Sequence, residues 1–287
     1  MLNKIVPKKI EYFLDLIRFS KPIGFMLLMW PCWFALTLVS LNFTEMIKWY
    51  FYFFAGAFLM RSAGCIINDL IDINIDKNIS RTINRPLASN KISKIEAIIF
   101  LFFLLILSFI ILLQFNFLSI LIGVSSLPLV CLYPFMKRYT HWPQLVLGTI
   151  FSWGIIIVSI EFLNSFNFDF IVLYFGCIFW TLAYDTIYAY QDREDDMLNS
   201  IKSTAVLLGD KGLKYVKFFY FVFYCSIAYS SWKNSHNIYS LIIVIIFIFV
   251  MNIILNKWEI KSIKSSNYYF KLNNFIGLCC FLFLLIF

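Results

Sequence analysis

Apolar residues in this chain come in long runs and rarely alternate with polar ones. Stretches with few or no charges lie at about 22–42, 48–67, 95–113, 116–134, 143–161, 169–190, 212–232, 238–256 and 269–287. Each is close to the ~20 residues that a helix needs to cross a bilayer core. Backbone groups in lipid must bond within their own segment, so runs of this length predict helices; barrel strands would be half as long and alternating. The pattern predicts an all-α integral membrane protein of about nine transmembrane helices. The charges between the runs predict its orientation. With the N-terminus in the cytoplasm, Lys4, Lys8, Lys9, Arg18 and Lys21, the group Lys77 to Lys94, Lys137 and Arg138, the group Arg193 to Lys217 and the group Lys257 to Lys271 all fall inside. Only Lys48 and Lys233 fall outside, and Arg61 lies within a run. Loops rich in Lys and Arg stay cytoplasmic, and removing one helix would invert every later loop.

Composition narrows the classes. Of 287 residues, 61% are apolar and 14% charged, against about 45–50% and 25% in soluble domains. A soluble enzyme, a disordered chain and a disulfide-stapled secreted fold are excluded. The runs consume the length, which leaves one polytopic domain over residues 1–287. The seven cysteines form no CxxC pair and read as small hydrophobes. No cleavable signal peptide is expected from the basic, amphipathic first residues. The net charge of +8 is largely the orientation signal, and no motif ties it to nucleic acid. His141 and His236 stand apart from other soft ligands, so no transition-metal site is expected. Trp30, Trp142 and Trp153 read as packing or interfacial anchors.

The acids carry the chemical signal. Of 16 Asp and Glu, eight fall in two windows: Asp69, Asp72 and Asp76, then Asp185, Asp192, Glu194, Asp195 and Asp196. Both windows begin at the cytoplasmic end of a run, where acids are costly without a role. At ~100° per residue, Asn68, Asp72 and Asp76 form one stripe, with Asp69 near the same face. In the second window the same rotation puts Asp185, Asp192 and Asp196 on one face, with Asp195 a second choice and Glu194 pointing away. Like charges stacked at i, i+4 destabilise a helix, so such stripes call for cations. Oxygen donors of this kind suit Mg²⁺, which binds through a few carboxylates plus substrate phosphates. Asp192 and Asp196 follow Asp72 and Asp76 by the same 120 positions. That spacing suggests two four-helix halves around a central cavity, each donating an acidic helix end. Basic segments reach the same face: Arg81 and Arg85, Lys137 and Arg138 in the loop after the fourth run, and Lys202. Carboxylates for metal with Arg and Lys around them suit a polyphosphate whose other end is lipid.

At this point the residues resemble a known family. Met60-Arg61-Ser62-Ala63-Gly64-Cys65-Ile66-Ile67-Asn68-Asp69 through Arg85-Pro86-Leu87 resembles the first signature of the UbiA-type membrane prenyltransferases. Tyr184-Asp185-Thr186-Ile187-Tyr188-Ala189, with Asp192 to Asp196 and Lys202-Ser203-Thr204-Ala205, resembles the second. Lys21-Pro22-Ile23-Gly24, Trp30-Pro31, Tyr133 to His141 and Pro143-Gln144 add to it. These segments span about two-thirds of the chain and resemble most the branch that acts on 4-hydroxybenzoate. The sequence departs from the family pattern at Leu198-Asn199-Ser200, where a Gly is usual, and at Glu194, where Asp is common.

The resemblance implies Mg²⁺-dependent transfer of a polyprenyl group from polyprenyl diphosphate to the ring carbon ortho to the hydroxyl of 4-hydroxybenzoate, with release of diphosphate, in ubiquinone synthesis. It implies a multi-pass protein of a bacterial inner membrane, with the site facing the cytoplasm and no required protein partner. The expected metal ligands are Asn68, Asp72, Asp76, Asp185, Asp192 and Asp196, with Asp72, Asp76, Asp192 and Asp196 central to catalysis. Lys137, Arg138, Arg81 and Arg85 are expected on the diphosphate, and Arg138 or else Arg61 on the benzoate carboxylate. Tyr139 and Tyr188 either hydrogen-bond the diphosphate or pack at the rim. Asp192 and Asp69 both stand open as the base. Two rivals remain: a family member with a menaquinone, haem O or lipid acceptor, and a cation transporter using the acids as an ion path. Transport acids tend to lie at mid-membrane on broken helices; these lie at one face beside basic segments.

Overall fold

The computed structural model describes residues 7–77, 79 and 82–287. All regular structure among them is helical. The helices are α1 (Lys8–Leu16), α2 (Ile23–Thr37), α3 (Phe43–Asp76), α4 (Lys94–Leu112), α5 (Phe117–Ser125), α6 (Leu127–Tyr139), α7 (Pro143–Phe151) and α8 (Trp153–Leu163). They continue as α9 (Phe168–Ala189), α10 (Arg193–Leu198), α11 (Thr204–Leu208), α12 (Gly212–Ser235), α13 (Ile238–Leu255) and α14 (Ile263–Ile286).

Each apolar run is helical, but seven stretches among the described residues are long and apolar enough to cross a membrane. These are α3, α4, α5 with α6, α7 with α8, α9, α13 and α14. Two runs fall short for different reasons. Helix α2 has 15 residues with Pro31 inside, which gives about 22 Å of rise against a ~30 Å core. Helix α12 has 24 residues, but Lys214, Lys217, Lys233 and Asn234 dilute its apolarity. Helix α3 goes the other way. Its 34 residues reach about 50 Å, longer than the ~30 Å core a crossing helix must span.

The chain divides into two compact units, and they are unequal rather than four helices each. One comprises the residues up to Met29 with Phe51–Phe115; the other comprises Trp30–Tyr50 with Asn116–Phe287. The first unit packs α1 and α4 against α3 through Leu16, Ile66, Ile73, Ala97 and Leu104, with Leu87 and Ile92 closing the core from the connecting segment. Phe13 meets Phe100 edge-on at 5.1 Å. Helix α4 starts with a capping box between Ser93 and Glu96, which satisfies two of the amides a helix start leaves open.

The second unit is built on α9. Its Leu173, Cys177, Trp180, Ala183, Tyr184 and Ile187 are buried. Trp180 stacks on Phe223 of α12 at 5.0 Å. The Trp180 indole and the Tyr220 hydroxyl both donate to Asn273 Oδ1 of α14, each at 2.8 Å. Asn273 is fully buried, and its amide nitrogen donates to the Tyr269 carbonyl. A buried polar group in such a setting must find partners within the protein, and Asn273 ties three helices together by doing so. Helices α9 and α12 also approach closely where Gly176 faces Ser226: a Cβ at Gly176 would lie 1.7 Å from Ser226 Oγ. Small residues permit this kind of backbone approach.

Candidate active site

The first acidic window lies on the last two turns of α3, so the helical stripe of Asn68, Asp72 and Asp76 is present as the spacing predicts. Asp72 and Asp76 are buried, with 1% and 4% exposure, and Asn68 is half-buried. Two arginines shape this end. Arg85 Nη1 donates to Asp76 Oδ2 at 2.7 Å and to Asp69 Oδ1 at 3.1 Å. Arg18 Nη2 donates to both Asp69 oxygens at 2.8 Å. Asp69, left open by helical geometry, therefore has both of its oxygens engaged by guanidinium groups. Arg85, expected on the substrate, here bridges two carboxylates of its own chain. Arg18 lies outside both acid windows, and no local pattern marks it as a partner of residue 69. Arg81 lies outside the described residues. Thr82, just after it, donates its hydroxyl to the Asp76 carbonyl at 3.0 Å, which closes the end of α3.

Arg61 sits two turns before Asn68 on α3 and is half-buried. Its guanidinium lies on the first turn of α2: a Cβ at Gly24 would be 2.8 Å from Arg61 Nε. The Lys21-Pro22-Ile23-Gly24 segment thus ends in a residue small enough to seat this side chain.

The second window is not one helix, which corrects the face assignment made from its spacing. Helix α9 ends at Ala189, and the amides of Gln191 and Asp192 turn back to the carbonyls of Tyr188 and Ala189 at 3.0 and 3.1 Å. Asp192 is the N-cap of the short α10. Asp185 belongs to α9, so the seven-residue step to Asp192 does not place them on one face. Asp192 and Asp196 remain one helical turn apart, with the Asp196 amide on the Asp192 carbonyl at 2.8 Å. Asp185, Asp192, Asp195 and Asp196 are half-buried, and Glu194 is exposed.

Tertiary contacts surround the break. Tyr190 packs edge-on against Trp258 at 5.2 Å and donates its hydroxyl to the Gly209 carbonyl at 2.5 Å. The guanidinium of Arg193 lies 5.8 Å from the Tyr190 ring centre and pairs with Asp210 at 3.2 Å.

Around this window the second signature is bonded together. The hydroxyls of Thr186 and Thr204 share a hydrogen bond at 2.8 Å, and the Thr204 amide donates to Gln144 Oε1 at 3.3 Å. The Lys202 amide donates to the Lys137 carbonyl at 2.9 Å, and Lys202 Nζ to the Tyr139 carbonyl at 3.2 Å. Lys137 and Arg138 sit on the last turn of α6, not in a loop as the apolar run implied. Cations there complement the helix dipole. Arg138 is exposed and lies over the Phe135 ring at 5.4 Å. Tyr139 is exposed, while Tyr188 is half-buried against Phe270 at 4.7 Å.

The donors of the α3 end, Asn68, Asp72 and Asp76, are oxygens alone. They fit a hard divalent cation, which takes one or two carboxylates and completes its shell with water and phosphate. Among the described residues no three His, Cys, Asp or Glu side chains converge into a full protein cage.

Comparison with known proteins agrees with this picture. The UbiA prenyltransferase family profile matches residues 28–275. The 4-hydroxybenzoate octaprenyltransferase of Blochmanniella pennsylvanica is 38% identical over 281 residues, covering 96% of this chain and 95% of that protein. The enzyme of the same name from Pseudoalteromonas translucida is 41% identical over 208 residues, covering 72% and 71%. The fold is shared with a UbiA homolog from Aeropyrum pernix K1, with a TM-score of 0.70 at 19% identity over 92% of this chain and 97% of that one. A UbiA homolog from Archaeoglobus fulgidus bound to GPP and Mg²⁺ gives 0.66 at 16% identity, covering 94% and 99%.

Proposed function

The chain belongs to the UbiA prenyltransferase family, and from that premise we propose that it transfers a polyprenyl group from polyprenyl diphosphate to the 3-position of 4-hydroxybenzoate, in ubiquinone synthesis. The carrying observation is the α3 end, where Asp72 and Asp76 are buried beside Arg85 on a helix long enough to reach past the hydrocarbon. The names of the full-length relatives support the acceptor, and the Mg²⁺ and GPP of a structural neighbour support the donor.

Breaking the allylic C–O bond leaves its electron pair on the diphosphate. That added charge is prohibitive in an apolar setting without compensation. Asn68, Asp72 and Asp76 at the α3 end, and separately Asp185, Asp192 and Asp196 in the second window, would hold Mg²⁺, which would supply the neutralising charge when bound. Lys137 adds a donor for the outer phosphate oxygens, and one well-placed donor to developing charge is worth ~3–4 kcal/mol. The ring carbon ortho to the phenol oxygen then bonds to the allylic carbon, and the ring proton is lost. Arg138 takes the benzoate carboxylate in this reading, and apolar helix surfaces keep water from the allylic cation. The protein spans a bacterial inner membrane nine times, N-terminus and site in the cytoplasm.

The test is direct. Purified protein in lipid is given prenyl diphosphate and 4-hydroxybenzoate, with and without Mg²⁺. Prenylated acid and diphosphate forming only with Mg²⁺ is the expected result. Cation flux into proteoliposomes with neither product formed would overturn it in favour of transport.

A further inference from the structure

The connection between α1 and α2 holds a residue whose backbone and side chain pull in different directions. Helix α1 closes with the Arg18 amide on the Asp15 carbonyl at 3.1 Å and the Phe19 amide on the Leu14 carbonyl at 2.9 Å. This is the helix end in which a left-handed residue, usually Gly, follows the cap. Arg18 occupies that position at φ 60°, a conformation that costs a residue with a Cβ. Such strain persists where the surroundings require the side chain. Both terminal nitrogens of the side chain are engaged. Nη1 caps the carbonyls of Asp15 and Leu16 at 2.9 and 3.3 Å, and Nη2 reaches both oxygens of Asp69 at 2.8 Å.

Asp69 Oδ1 is in turn shared with Arg85, whose Nη1 holds Asp76 at 2.7 Å. Arg18, Asp69, Arg85 and Asp76 form a chain of two positive and two negative charges. Without Arg18, Asp69 is a buried carboxylate held, among the described residues, by Arg85. It would draw Arg85 into a paired contact, away from Asp76, and would compete for any divalent ion at this helix end.

We propose that Arg18 is a positioning residue for prenyl transfer: by saturating Asp69 it keeps Arg85 on Asp76 and leaves the α3 stripe to the metal and diphosphate. This rests on the reading of the α3 end as the Mg²⁺–diphosphate site.

The test uses the full-length protein in nanodiscs. Binding is read without turnover, as the Mg²⁺ concentration needed for a non-reacting prenyl thiolodiphosphate to raise the melting temperature. Arg18→Gly keeps the left-handed backbone and both main-chain bonds of the α1 end. It should still fold and insert, melting below the parent because a buried carboxylate loses a partner, and should need about ten-fold or more Mg²⁺, as the loss of an outer partner of a metal site does. Arg18→Lys keeps one charge without the planar fork and should shift the requirement by less; it serves as the test if the glycine variant does not insert. Adding Asp69→Asn to Arg18→Gly removes the competing carboxylate and should bring the Mg²⁺ requirement back toward that of the parent, an outcome that a purely structural role does not produce. An unchanged Mg²⁺ requirement in Arg18→Gly, or no return in the double variant, overturns the proposal. Asp72→Ala is the separate control: if it binds Mg²⁺ and the analogue as the parent does, the reading of the α3 end itself has failed.

Discussion

Residues of one chemical type separate here by their surroundings. Asp69, Asp72 and Asp76 lie within eight positions on one helix. Asp69 is held by two arginines, Asp76 by one, and all three are buried. In the second window Glu194 is exposed, while Asp192 and Asp196 are half-buried a turn apart. Asp72→Ala and Asp192→Ala should each lower prenyl transfer more than ~10²-fold in inserted, folded protein, the share typical of one lost electrostatic element, and Glu194→Ala should stay near the parent rate. Equal losses at Glu194 and Asp192, measured by product formation under saturating substrate, would contradict the assignment. Arg138→Ala tests the acceptor contact. Losing a charged hydrogen-bond partner costs ~1.5–3 kcal/mol, so KM for 4-hydroxybenzoate should rise about ten- to hundred-fold with KM for the prenyl diphosphate little changed. Arg138→Lys should recover part of the loss, because an ammonium cannot make the planar paired contact. A rise confined to the prenyl diphosphate would move Arg138 to the leaving group and favour Arg61 for the carboxylate.

At the scale of elements, the sequence was legible where structure is local. The stripe on α3 could be read because the helix runs unbroken through Asp76, so residue spacing converts directly into direction. The second window could not be read this way. No Gly or Pro stands between Asp185 and Asp192 to mark the break, and the contacts Tyr190 makes there, to Trp258 and the Gly209 carbonyl, are distant in sequence. Arg18 was missed for the same reason, since its partner lies 51 positions away. Helix packing makes its own prediction. Gly176→Ala places a methyl group into Ser226 where α9 meets α12, and overpacking of this kind costs about 1–3 kcal/mol. Thermal unfolding in detergent should show the loss, and Ser226→Gly added to it should restore most of the stability. If Gly176→Ala melts with the parent, the two helices are not as close as described.

For the molecule as a whole, the open question between sequence and structure is the number of crossings, and it turns on α2 and α12. Both are helical, yet neither is among the seven that cross by length and composition. Charge argues that both cross. If α12 stayed on the inner side, the segment holding Lys257, Lys261 and Lys264 would fall outside, against the rule that such segments remain cytoplasmic. If α2 failed to cross, the basic N-terminal segment and the Lys77 to Lys94 segment would lie on opposite sides of the membrane. A short helix such as α2 can be accommodated by local thinning or by anchoring residues at its ends, and Trp33, whose indole donates to the Tyr50 carbonyl at 3.2 Å, ties it to the start of α3. Single cysteines in a cysteine-free background, labelled with an impermeant reagent in spheroplasts and in inverted vesicles, decide the matter. With nine crossings, positions 77, 140 and 202 react only from the cytoplasmic side, and positions 41 and 234 only from the other. Labelling of position 234 from the cytoplasmic side together with position 261 from outside would show that α12 does not span. Labelling of positions 41 and 21 from the same side would show that α2 does not. Either result would break the charge argument for nine crossings, and the second would put the N-terminal segment that carries Arg18 on the opposite side of the membrane from the α3 end. The 2.8 Å contacts between Arg18 and Asp69 require both to lie on one side, so the labelling of position 21 checks the orientation and that contact together.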